Sequence, residues 1–278
     1  AGLLVSGPTL GGAGTVPNNH LTVESNTFNK AQNAMFIIGS STAQDDGAII
    51  KNNTLGSADT AEMLGFRGIA LQNAKNAIIT GNQIDGVSTA STSTASGILV
   101  GGAVNNISVT ANKINEIRNT NTIGYGSNGI YVNALSASNN VLVANNFISN
   151  VYSYGYSSGG GIADNGYGIV LGGVGTNVKV YHNSVSLNVN QNVAGRPAAI
   201  NILTSATTAG AIDIRNNIFA NNQTQTGEKY VLYSSAPKTV FAHIDYNDYF
   251  SSGANLGYIG AAPKATLADI KTSFGGNE

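Results

Sequence analysis

Eight segments of this chain fit one pattern, apolar-x-apolar-x-x-Asn-x-apolar, in order along the sequence. They are LTVESNTF, AIIKNNTL, AIITGNQI, ISVTANKI, VLVANNFI, VKVYHNSV, IDIRNNIF and AHIDYNDY. Their asparagines are Asn26, Asn53, Asn82, Asn112, Asn146, Asn183, Asn217 and Asn247, at successive spacings of 27, 29, 30, 34, 37, 34 and 30 residues. A period near 30 sustained over most of a chain is the mark of a repeat architecture, in which each repeat buries its apolar face only against its neighbours.

Side chains alternate faces along a strand, so the two apolar positions before each Asn share a face. Those columns read Leu21, Ala48, Ala77, Ile107, Val141, Val178, Ile212, Ala242 and Val23, Ile50, Ile79, Val109, Val143, Val180, Ile214, Ile244. The position two after the Asn runs from Phe28 through Leu55, Ile84, Ile114, Ile148, Val185 and Phe219 to Tyr249. A further strand follows in most repeats: Gly68–Leu71, Gly97–Val100, Gly129–Val132, Gly168–Leu171, 199–202 and 230–233, with Gly2–Val5 in the same place of an earlier, truncated repeat. The expectation is an all-β solenoid over residues 1–260, of eight to nine coils with three short strands each, followed by a cap or tail over 261–278.

Composition limits function. Charged residues make up 10% of the chain and the net charge is −1. Thirteen scattered Lys and Arg do not form the basic stripe that nucleic acid requires. No apolar run approaches the ~18 residues of a membrane span. The chain has no cysteine, so neither disulfides nor thiolate metal sites exist. His20, His182 and His243 fall in different repeats, and Asp45–Asp46 alone is too small a set for calcium. No metal and no cofactor are inferred. The threonines of STASTSTAS (88–96) stay within one connector and form no column.

A three-strand coil of about 30 residues with an Asn turn resembles the right-handed parallel β-helix of pectate lyases, phage tailspikes and many bacterial surface proteins. In that family a tight turn joins the second and third strands and needs a left-handed residue, which Asn tolerates well. The eight asparagines are therefore expected to be structural, stacked as a ladder. Opposite charges are expected to meet across coils as Glu24–Lys51, Arg215–Asp245 and Lys179–Asp213. The ending NDYFSSGANLGYIG…TLADIK is similar to the tails of β-helix segments exported by the type IX route, which implies an extracellular or bacterial cell-surface protein.

In the polysaccharide-degrading members, the substrate groove lies over the Gly-Ile-x-Leu strand, walled by the connectors before it. The corresponding floor here reads Ala70, Leu99, Tyr131, Val170, Asn201 and Leu232, without the carboxylates that calcium or a hydrolytic acid–base pair would need. The connectors carry Tyr125, Tyr152, Tyr154, Tyr156 and Tyr167, which with Tyr131 make a candidate aromatic platform for sugar rings. Glu116, Asp164, Arg118 and Arg196 are candidates for an acid–base set. Two functions are carried forward. One is a structural, adhesive or glycan-binding module with a polysaccharide partner. The other is a carbohydrate-active enzyme, a lyase or hydrolase, using those connector residues. The strand-like N-terminal end is expected to meet further coils, another copy or its own 6–19 segment.

Overall fold

A computed structural model describes residues 1–7, 11–134, 138–156 and 164–274. Every repeat turns through three faces, and strands of successive repeats pair in parallel. The strands that follow the asparagines run from Thr27–Phe28 to Asp248–Ser251 and form an eight-stranded sheet. Seven parallel pairings join them. The protein is thus a parallel β-solenoid of about seven turns. This is fewer than the eight to nine expected, because eight asparagines bound seven intervals.

The other two faces belong to one 18-stranded sheet. The floor face carries the Gly-Ile-x-Leu strands, among them Arg67–Lys75, Ser127–Ala134, Gly166–Leu171, Ala198–Ile202, Tyr230–Ser234 and Gly257–Ile259. The long strand Ala95–Thr110 passes from the floor onto the next face. The three apolar columns point inward as expected except at the last position of the first: Ala242 is exposed, and a register irregularity sets Phe241 beside Ile212 in its place. From Ile50 to Ile244 the central one is at most 2% exposed, and, Ala242 apart, the columns merge into one continuous core.

The asparagine ladder is a closed hydrogen-bond column. Each Asn Nδ2 donates to the Oδ1 of the Asn one coil on, at 2.9–3.2 Å. The backbone N–H of the same residue donates to that same oxygen. From Asn53 onward, Nδ2 also donates to a backbone carbonyl of the coil before, such as Val23 or Val109. Asn53 through Asn217 are at most 1% exposed, so these bonds are made out of water.

The turn itself corrects the expectation. The left-handed residue is the one before each ladder Asn: Ser25, Asn52, Gly81, Ala111, Asn145, His182, Asn216 and Tyr246, with φ of 54–65°. The ladder asparagines are not left-handed. Their identity comes from the amide's two-donor, two-acceptor geometry, and the strain falls on a variable neighbour. A second, exposed column, unforeseen in the sequence, runs along another left-handed corner. Asn106 donates to Asn76, Asn140 to Asn106 and Asn177 to Asn140, and Asn76 caps it on Asp46.

Left-handed residues also bend the eight-stranded sheet, at Gly86, Glu116 and Asn150. Each is skipped in the pairing without a change of register, from Asp85–Asn115 to Val87–Ile117 and from Asn115–Ser149 to Ile117–Val151, and pairing then continues to Thr89, Asn119 and Ser153. Glu116, Arg118 and Tyr152 therefore sit on strands, where connectors were expected. The skip changes apolar spacing from two to three (Ile114, Ile117), so the strand's second half loses its alternation in the sequence.

Among the charge pairs, Lys51 reaches Glu24 at 3.1 Å. Lys179 is registered with Asp213, and Arg215 with Asp245. Yet Asp213 takes Arg215 of its own strand, at 2.7 Å, because residues i and i+2 share a face. At the C-terminal end the chain reverses at Gly260–Ala261, both left-handed. Ala262–Lys264 then pairs antiparallel with Gly257–Ile259. The helix Leu267–Ser273 follows, started by a Thr266–Asp269 capping box. Its buried Ile270 packs at Gly257. Of the segment 261–278, the structure describes this form as far as residue 274.

Candidate functional site

The structure separates the expected site residues into three places. Glu116, Arg118 and Tyr152 meet on the outer face of the eight-stranded sheet. The Tyr152 hydroxyl donates to Glu116 Oε1 at 2.6 Å, and Arg118 Nη1 donates to both, at 3.1 Å each. Arg118 Nε also holds Ser88 Oγ at 2.9 Å. Burial, with the Glu116 contact adding to it, raises the Tyr152 phenol above its ordinary value. The same trio recurs on another face. Tyr181 donates to Asp213 at 2.6 Å, and Arg215 donates to Asp213 at 2.7 Å and to the tyrosine at 3.1 Å. An arrangement built twice, on two faces, in which the arginine engages the carboxylate, is a pin between neighbouring coils.

Tyr125, Tyr154 and Tyr156 lie in the connectors. Tyr156 is 37% exposed and packs at Gly124, and the Tyr154 backbone pairs with Asn119 and Val193. Residues 157–163 of that connector, and 8–10 of the 6–19 segment, lie outside the described residues.

Tyr131 and Tyr167 come together on the floor. With Thr94, Asn128, Val170, Asn201 and Leu203 they line a recess of about 50 Å³. Asp164 and Arg196 both act electrostatically on Tyr167, whose phenol is pushed up, chiefly by complete burial. Arg196 is tied by an ion pair to Glu228 at 2.5 Å. A buried amide network shapes the neighbouring connectors: Gln191 Nε2 and the Arg196 N–H both donate to Asn165 Oδ1, at 2.9 Å. The six tyrosines thus form no single platform, and Glu116 and Asp164 engage different partners.

The floor differs from the expected one in two ways. Its register sets Asn201 beside Tyr233, and Leu232 faces the core. A one-residue slip exchanges the faces of every side chain. Tyr233 stacks on Tyr258 with ring centroids 4.6 Å apart at 3°, and Tyr230 meets both edge-on at 5.3 and 6.0 Å. A second outward column, missed in the sequence, runs through Asn33, Arg67, Ser96, Asn128, Tyr167, Ala198 and Tyr230. It was marked by the residue before each Gly-Ile pair.

Four side chains on this floor, Asn33, Arg67, Asn201 and Tyr230, have polar atoms that are buried without a hydrogen-bond partner. Arg67 has its guanidinium 4.1 Å over the Phe66 ring and no partner for Nε. Asn33 Oδ1, in the adjacent coil, is unpaired, as are both polar atoms of Asn201, which is fully buried. Burial lowers the Arg67 pKa from its ordinary value, with no carboxylate to offset it. A partly buried guanidinium with an unpaired Nε loses hydration that no protein group replaces. Arg67→Met is therefore expected to stabilise the protein by about 1 kcal/mol in urea melts, the lost cation–π contact offsetting part of the gain.

Among the described residues no cluster of three or more His, Asp or Glu could hold a metal ion. Among the described residues no helix is long and apolar enough to cross a membrane. Comparison with protein-family models, curated proteins and solved structures gives no match to this chain.

Proposed function

We propose that this chain is an extracellular or bacterial cell-surface solenoid, a structural or adhesive module that binds a polysaccharide along its floor. The observation that carries this reading is the floor's composition. The half-buried rings of Tyr131 and Tyr258, backed by the buried Tyr167 and Tyr233, share the floor with unsatisfied polar groups (Asn33, Arg67, Asn201) over strands stacked along the solenoid axis. Adjacent strands lie ~4.8 Å apart, so the span from Arg67 to Tyr258 is roughly 30 Å, long enough for several sugar rings. Rings stack on sugar faces, and unpaired amides and a guanidinium take up hydroxyl or acidic groups. For the alternative, a carbohydrate-active enzyme, Glu116 would first have to leave Arg118 and Tyr152. Self-association belongs to the same proposal. Among the described residues the first-coil strands Thr22–Glu24 and Thr27–Phe28 pair on one side only, an edge that another coil could extend.

Affinity electrophoresis against acidic and neutral polysaccharides tests the reading. The double variant Tyr131→Ala/Tyr258→Ala is expected to bind roughly tenfold more weakly, at about 0.5–1.5 kcal/mol per aromatic contact, while Tyr154→Ala and Tyr156→Ala have smaller effects. Undiminished binding by the double variant, with melting unchanged, would overturn the floor as the binding face.

A further inference from the structure

The recess around Asn201 points to a particular ligand group. We propose that it is a subsite for the acetamido group of an N-acetylated sugar; this rests on the glycan-binding reading above. Asn201 is fully buried, and neither Oδ1 nor Nδ2 has a partner. The ladder asparagines, by contrast, use their amides completely: Asn146, equally buried, has its oxygen accepting twice and its nitrogen donating twice. Asn201 has no such neighbours, because its registered partners in the adjacent coils are Val170 and Tyr233. An unpaired buried amide is unfavourable and gains from any group that satisfies it.

The walls select that group. The recess of about 50 Å³ admits more than one water-sized unit. Val170 and Leu203 are apolar, Tyr131 and Tyr167 supply rings, and Thr94 and Asn128 supply polar atoms. A lone hydroxyl would leave the apolar walls uncovered. An ammonium could not accept from Nδ2. A carboxylate would set its charge against Oδ1, with the nearby Arg196 already paired to Glu228. An acetamido group meets each demand. Its carbonyl accepts from Nδ2, its methyl lies on Val170 and Leu203, and its N–H is left for the oxygens of Asn128 or Thr94. Asn201 Oδ1 then accepts from a neighbouring sugar hydroxyl.

The test is saturation-transfer NMR on the full chain with N-acetylglucosamine, N-acetylgalactosamine and N-acetylmannosamine, against glucose, galactose and mannose. At least one N-acetylated sugar should show transfer strongest at the acetamido methyl and at least tenfold above its parent sugar. Asn201→Leu should abolish that preference while melting no lower than the parent, since leucine removes an unsatisfied amide; a lost signal is then not a lost fold. Equal transfer from acetylated and parent sugars would overturn the subsite, as would an acetamido signal that survives Asn201→Leu. Polysaccharide binding in affinity electrophoresis is read separately. If it persists while the acetamido signal is absent, the subsite alone fails; if no polysaccharide binds either, the glycan reading fails with it.

Discussion

Asn146→Leu is expected to destabilise the protein by about 3–5 kcal/mol, read from urea or thermal melts. The Asn146 oxygen accepts from the N–H and the Nδ2 of Asn112, at 3.0 Å each. Its nitrogen donates to Val109 O and Asn183 Oδ1, at 2.9 Å each. Leucine approximates the volume and keeps none of these bonds. The Asn112 backbone N–H is then orphaned, its Nδ2 keeps only the Ile79 carbonyl, and the Val109 carbonyl and Asn183 amide each lose a bond. A buried group left without its partner costs about 1–3 kcal/mol, and relaxation of the column recovers part of the sum. Asn145→Gly is the matching control. Asn145 is exposed, with φ 56°, a conformation glycine adopts freely, so its change should stay within about 0.5 kcal/mol. Comparable losses in the two variants would show that the turn, and not the ladder, is the source of stability at this corner.

Gly129→Ala should cost about 2–3 kcal/mol by the same measurements. The glycines of the Gly-Ile-x-Leu strands, Gly68, Gly97, Gly129 and Gly168, stand directly over one another. A Cβ on Gly129 would lie 2.5 Å from the Gly168 carbonyl oxygen and 2.6 Å from Ile148 Cγ2. Ile148 can shift by rotation, but the carbonyl is backbone of the next coil and moves only if the stack opens. Overpacking of this kind costs about 1–3 kcal/mol in ordinary cores. Here every neighbouring glycine meets the same obstacle, at 2.5–2.6 Å, so no nearby slack absorbs it. Gly101→Ala, whose nearest contact would be an ordinary 3.4 Å, should be neutral within about 0.5 kcal/mol. If Gly129→Ala were equally neutral, the coils would not be in close backbone contact at this corner.

The repeat, the three inward columns and the ladder were legible in the sequence because stacking converts a period directly into contacts. Residues at equal offsets from Asn26, Asn53 and their successors become neighbours whatever the connectors do. Legibility fell with distance from that anchor. Repeat lengths vary from 27 to 37 residues, so phase is lost across the connectors. Close to the Asn the readings that failed were the choice of left-handed residue, the partner of Asp213 and the inward place of Ala242. Ser25, Ala111, His182 and Tyr246 share a φ near +55° without sharing a side chain. Further away, the kink at Glu116 hid the strand that joins it to Arg118 and Tyr152. A one-residue slip in the last full repeat put Leu232 on the floor in place of Tyr233. The unsatisfied Arg67 and Asn201 were visible as letters, but not as unpaired groups. Whether a polar side chain is satisfied depends on what the adjacent coils place beside it, and only the folded stack decides that.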